Sequence, residues 1–159
     1  MTFKAHKACW HKSGGYTLIE LMIIIVVIAL LVALAVPAYK NYTVRSKITE
    51  CINGASVAKI HISEYRQIMG PWPPSLTDAG LPPAVSGMSQ FCSGFVGYVS
   101  GDGSFRVDID EAAIGVFSGI IEPVLMPNQL PSGIVNWNCG TGNTSSPNVR
   151  LLPASCRDS

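Results

Sequence analysis

Gly14-Gly15-Tyr16-Thr17-Leu18-Ile19-Glu20-Leu21 opens an apolar run that meets no further charge until Lys40. From Leu21 to Tyr39 every residue is uncharged and most are aliphatic. At about 1.5 Å of rise per helical residue, such a run matches the hydrocarbon thickness of a bilayer. A lone carboxylate at the head of a membrane-length segment is costly, so Glu20 marks a functional position whose partner must be named. On the other side of the run, Met1 to Gly15 carries Lys4, Lys7 and Lys12 and no acid. Positive charge before an apolar span holds that end in the cytoplasm and places the remainder across the membrane. A secretory signal peptide is the plain alternative, and Ala33-Leu34-Ala35 offers a small-residue cleavage site. Signal cores, however, run only about 7–15 residues and lack an internal acid. An uncleaved signal anchor is the other ordinary reading.

Gly15-Tyr16-Thr17-Leu18-Ile19-Glu20-Leu21, the aliphatic run to Val36 and then Pro37-Ala38-Tyr39 resemble the N-terminus of the type IV pilins. The resemblance implies a leader, residues 1–15, removed by a prepilin peptidase between Gly15 and Tyr16. It implies N-methylation of Tyr16, where the family usually has Phe. It makes Glu20 the assembly carboxylate, which answers the terminal amine of a neighbouring subunit, and Pro37 the helix-bending proline. Ala29 stands where many members have a helix-loosening glycine. Residues 16–39 would then be the membrane and filament-core helix, and residues 40–159 a globular αβ domain.

Composition bounds that domain. The chain has 159 residues and a mean hydropathy of +0.32, raised mainly by the N-terminal span. With roughly forty residues committed to leader and span, the remainder supports one domain. Without the leader lysines the side chains hold 8 basic against 10 acidic groups, a net of −2. No basic stripe announces a nucleic-acid partner.

Of the five cysteines, Cys9 lies in the leader, leaving Cys51, Cys92, Cys139 and Cys156 for an oxidising compartment. Four cysteines allow three connectivities. The flanks Trp137-Asn138-Cys139 and Leu152-Pro153-Ala154-Ser155-Cys156-Arg157 are similar to the ending of the same family, whose C-terminal disulfide bounds a variable region. The resemblance thus implies Cys139–Cys156, enclosing the 139–156 loop, and with that pair set, Cys51–Cys92. No Cys-x-x-Cys or His-paired spacing supports metal.

Past Pro37 the pattern stays helical but becomes amphipathic. Val44, Ile48, Cys51, Ile52, Ala55, Ile62, Tyr65 and Met69 recur at helical steps, with charged residues between them. One long helix is expected from about Thr17 to Ile68, weakest at Gly54 and stopped by Gly70-Pro71-Trp72-Pro73-Pro74. Pro71 to Cys92 is a proline-rich connection. Phe95–Ser100 and Phe105–Ile109 read as a hairpin around Gly101–Ser104, Ile114–Met126 as an interrupted β run, and Gly133–Trp137 as another strand. Val149–Leu152 is expected to pack back on the sheet edge. The fold class is therefore α+β, a long N-terminal helix packed on roughly four antiparallel strands, the pilin fold.

No catalytic constellation emerges, so an enzyme is not expected, and no cofactor is implied. His61 reads as a solvated surface residue beside Lys59. Asp102, Asp108, Asp110 and Glu111 invite a calcium reading, but calcium needs six to eight oxygens in a shaped loop. Asn41-Tyr42-Thr43 and Asn143-Thr144-Ser145 match a glycan sequon, and Ser159 resembles a glycosylated terminal serine. The resemblance implies a pilus subunit, homo-oligomeric in a helical filament. Its partners would be the peptidase, the inner-membrane assembly machinery and the inner membrane before assembly. It would end outside the cell, with adhesion, twitching motility and contact with a host surface or DNA as family roles. A minor pilin, a type II secretion pseudopilin and a membrane-anchored binding module that never polymerises are the competing readings.

Overall fold

The computed structural model describes residues 15–82 and 89–157. The chain divides into two compact units, one ending at Ala38 and the other running from Tyr39 to the C-terminus. Helix α1 covers Leu18–Gly54 and α2 covers Ser56–Met69. Ala55 alone separates them, at φ −68° and ψ −2°, and its N–H still donates to the Cys51 carbonyl at 3.1 Å. The expected long helix is thus present over Leu18–Met69, with one irregular residue beside the glycine that costs it most. The stop falls where the sequence places it: Gly70 takes φ +91° and its N–H closes on the Arg66 carbonyl.

In the globular unit β1 (Cys92–Val96), β2 (Phe105–Ile109), β3 (Val124–Gln129) and β4 (Val135–Gly140) form one antiparallel sheet in chain order. β3 and β4 pair along six positions, from Val124↔Gly140 to Gln129↔Val135, whereas β2 and β3 share only Phe105↔Leu125 and Arg106↔Val124. The alternation in β2 puts Phe105, Val107 and Ile109 inward. Against them lie Ile48, Cys51, Ile52, Ala55, Ala58 and Ile62 of the helices. The two alanines are fully buried and let helix and sheet approach closely. An aromatic row crosses the sheet: Phe95 and Trp137 each meet the Phe105 ring edge-on, at 5.1 and 5.6 Å. Trp137 Nε1 donates to Ser63 Oγ, so its one polar atom is satisfied.

Several expectations are corrected. The hairpin turns at Gly101–Ser104 as expected, with the Val99 N–H on the Ser104 carbonyl and the Gly103 N–H on the Val99 carbonyl, but its first strand is Cys92–Val96 rather than Phe95–Ser100. Gly97 at φ +57° ends β1 early, and Tyr98 leaves the strand so that its hydroxyl donates to the Pro73 carbonyl at 2.7 Å. In the Ile114–Met126 run only the end is strand. Asp110 caps a short helix, α3 (Glu111–Ile114), by accepting from the Ala113 N–H, and Gly115 closes it in the left-handed region. Met69 is 61 % exposed rather than part of the buried stripe. Val149–Leu152 adopts a 3₁₀ turn, Ser146–Leu151, from which Leu151 and Leu152 enter the core. In the connection after α2, Pro73, Ala79 and Leu81 are buried, and Ser75 and Asp78 hold a turn between them. His61 is half-buried against Gly80, not fully solvated.

Candidate assembly site

Thr17 builds the start of α1. Its Oγ1 accepts from the Glu20 N–H at 3.3 Å, and the Leu21 N–H bonds the Thr17 carbonyl at 3.2 Å. Thr17-Leu18-Ile19-Glu20 is therefore a capping sequence, with Glu20 as the only acid of the first turn. Sequence reasoning centred on Glu20 passed over Thr17, although a Thr three residues before a Glu at a helix start is the readable signal. The helix dipole favours a carboxylate at this end. Among the described residues the one ion pair is Arg106–Glu122, so no described cation pairs with Glu20.

Beyond Glu20 the helix offers apolar surface on all sides. From Leu18 to Val36 its large hydrophobic residues are 44–79 % exposed, and the segment is long and apolar enough to cross a membrane. A soluble monomer rarely shows more than a few hundred Å² of continuous apolar surface, so this segment calls for a bilayer or other helices. Pro37 lies inside α1 and has no N–H for the Ala33 carbonyl, a weakness placed one residue before the first unit ends. Upstream, Tyr16 is 80 % exposed. A Cβ built on Gly15 meets nothing within 4 Å, and Gly15 is not among the positive-φ glycines. Among the described residues nothing requires glycine there.

The globular unit is clamped by two disulfides. Cys51–Cys92 joins α1 to β1 with the Cα atoms 5.7 Å apart, and Cys139–Cys156 joins β4 to the last 3₁₀ turn with 4.5 Å between Cα atoms. Inside the second loop Asn148 is buried and donates through Nδ2 to the Ser118 carbonyl. The loop is thereby tied to the chain before β3.

The acidic residues near β2 are engaged one by one. Asp102 accepts from the N–H and hydroxyl of Ser104, Asp110 caps α3, and Glu111 Oε1 accepts from the Ile121 N–H at 2.7 Å. Among the described residues no three His, Cys, Asp or Glu gather as a metal site needs. Burial, then the charges of Glu122, Glu111 and Asp110, push the Asp108 carboxyl up, against a hydrogen bond from Ser93. Arg106 Nε sits 3.2 Å from Glu122 Oε2 without an aligned hydrogen bond, an ion pair only. Burial, with Asp102 and Tyr65 adding, pushes the Tyr98 phenol up to about 12. Asn143 of the second sequon donates to Glu122 Oε2 and Thr144 Oγ1 accepts from the Glu122 N–H, so both serve the loop. Cys9 and Ser159 lie outside the described residues.

These features agree with the comparisons to known proteins. The profile of a "Prokaryotic N-terminal methylation motif" matches residues 10–36, and that of "Pilin (bacterial filament)" matches residues 44–157. The chain belongs to the pilin family. A fimbrial protein, EcpC, of Eikenella corrodens is 33 % identical over 145 residues, covering 91 % of this chain and 90 % of that one. The type IV major pilin PilE of Neisseria gonorrhoeae is 28 % identical over 166 residues, covering 91 % and 93 %. A fimbrial protein of Moraxella nonliquefaciens is 47 % identical over 53 residues, a third of each chain. As a pilin the chain is a structural subunit, and the α+β fold expected from its sequence is the one observed.

Proposed function

We propose that this pilin is the major subunit of a bacterial type IV pilus and polymerises through its N-terminal helix. The observation that carries the reading is a membrane-length helix, exposed on every side, whose first turn holds one carboxylate with no ion-pair partner among the described residues. The prepilin peptidase cuts between Gly15 and Tyr16, and the new Tyr16 amine is methylated. No described residue calls for glycine at position 15, which supports a requirement imposed by the peptidase's groove. The precursor waits in the inner membrane with its globular unit outside the cytoplasm. Assembly machinery then moves the helix from lipid into a bundle of like helices. Lipid and protein interiors are comparably apolar, so close packing and polar pairing, rather than water exclusion, favour the bundle.

Glu20 supplies the polar pairing. A carboxylate in hydrocarbon costs several kcal/mol, and a methylated ammonium at another subunit's helix start answers it with a charge-assisted hydrogen bond. A subunit docks where its carboxylate meets a free amine, so leader removal and assembly are coupled and register is set. Pro37 lets the helix adapt between bundle and globular shell. The near full-length likeness to a fimbrial protein and a major pilin, with the Cys139–Cys156 loop, supports a major pilin over a minor pilin or pseudopilin. Surface adhesion and twitching motility follow as the filament's uses, with host surfaces or DNA as candidate contacts. The test is Glu20→Ala in cells that make the pilus: surface filaments are lost while mature, disulfide-bonded subunit persists in the membrane. Wild-type amounts of pili from that variant overturn the assignment.

A further inference from the structure

The helices cover the inner face of the sheet unevenly. In β2 the inward residues Phe105, Val107 and Ile109 are fully buried, whereas in β4 the alternate residues Val135, Trp137 and Cys139 are only half-buried. Two adjoining clefts, of about 540 and 340 Å³, run between β4 and the helix side and share Lys59 and Trp137. The Trp137 ring is a fixed wall, held by Phe105 at 5.6 Å and by Ser63 at 3.1 Å, and Ile60 of α2 lines the same cleft. β4 is also an edge strand that pairs with β3 alone. Alternate residues of such a strand turn their N–H and C=O away from the partner. From Val135 to Asn138 no backbone bond runs to another segment among the described residues. The last 3₁₀ turn meets the strand further on, at Cys139. Edges are usually blunted by proline, charge or a bulge. The opposite edge, β1, has a register break between Cys92 and Gly94, whereas Val135-Asn136-Trp137-Asn138 carries neither proline nor charge and pairs in unbroken register.

Lys59 gives the groove its sign. It is half-buried where the two clefts meet, and it forms no ion pair among the described residues. Burial lowers its pKa, so the charged ammonium is held at a cost that a docked anion offsets. Glu64 lines the smaller cleft without pairing to Lys59, and it disfavours a second acid on that side. We propose that the open edge of β4 accepts an extended segment of another protein as a fifth strand, with one Asp or Glu set against Lys59 and apolar side chains, two residues away, against Trp137 and Ile60. Backbone pairing supplies the affinity of such a contact, and the alternate side chains that fall over the groove supply its specificity. The residues involved all lie in the globular unit, so the contact does not depend on how the N-terminal helix is used.

The probe is a fluorescein-labelled peptide, Val-Thr-Asp-Thr-Val-Thr, which presents Val, Asp and Val on one face when extended. It is titrated into the full chain in a nonionic detergent and followed by fluorescence anisotropy. Saturable binding is expected, weakened about tenfold by exchanging the peptide's Asp for Asn and by Lys59→Met, which keeps the apolar stem. Methylating the peptide nitrogens that face β4 is expected to abolish binding, and hydrogen exchange to slow within Val135–Asn138 only when the peptide is present. No saturable binding, equal binding of the Asn peptide, or slowed exchange confined to another surface overturns the inference. Edge amides already protected without peptide, and more so at higher protein concentration, place a second copy on the edge and overturn it as well. The two peptides are compared on the unaltered chain, so the comparison decides the matter even if Lys59→Met does not fold.

Discussion

Removing the Cys51–Cys92 bond is the perturbation whose size the structure sets most directly. The bond closes a loop with a sequence separation of 41, and Cys51 is fully buried between helix and sheet. Constraining a loop of that length in the unfolded chain is worth about 4 kcal/mol on the chain-entropy estimate. The variant Cys51→Ala/Cys92→Ala keeps Cys139–Cys156 and places only small apolar side chains at the vacated positions. For a unit of this size each kcal/mol moves the melting midpoint by roughly 4 °C, so a fall of about 15 °C is expected. The assay is thermal unfolding of the full chain in detergent, followed by tryptophan fluorescence and near-ultraviolet circular dichroism. Trp72 and Trp137 pack on the globular unit, so these signals report its tertiary structure, whereas total helix content is carried largely by α1. A midpoint within about 3 °C of the parent would refute the reasoning: the link between α1 and β1 would then add nothing to helix–sheet packing.

Other consequences are smaller or more local. Ile62→Ala, at a fully buried position of α2, is expected to cost about 2–5 kcal/mol in chemical denaturation. Asp108 has its carboxyl pushed up, so its charged form weakens the fold; that penalty is absent well below its ordinary value of 3.8 and grows as pH rises through the folded value. Asp108→Asn is therefore expected to be more stable than the parent at neutral pH, with the difference vanishing as pH drops below that ordinary value. Denaturant midpoints across pH check it, and a deficit at neutral pH contradicts it. Replacing Gly15 with a bulkier residue such as Leu is expected to leave full-length precursor in the membrane, read by its migration on a gel, because nothing else in the fold responds to the change.

The helices were legible because their patterns are strong: unbroken apolar sequence for the membrane half, then Ile48, Ile52, Ala55 and Ile62 at helical steps. The joint at Ala55 lies beside Gly54, whose backbone entropy costs the helix most and which the sequence marks as the weak point. Strands were legible where alternation is clean, as in Phe105–Ile109, and misjudged where β-branched residues serve loops. Ile114, Val116 and Ile120 look like strand, yet Asp110 caps a helical turn before them and Ser145 and Asn148 hold the segment from a distance of about 25 to 30 residues. Those tethers are non-local, so a local reading had no access to them. At the assembly site Glu20 and Gly15 could be read from the sequence alone. The exposure of Phe117 in the globular unit could not be read, because a phenylalanine among β-branched residues reads as core until the backbone is seen to turn it outward.

The central claim is that leader removal at Gly15 creates the amine that answers Glu20 in a filament. Intact-mass measurement of subunits from sheared surface filaments tests it most directly. The account predicts chains beginning at Tyr16 and heavier by one methyl group on the terminal amine. Filament subunits that retain Gly15, or that begin within the apolar segment after Glu20, would contradict it.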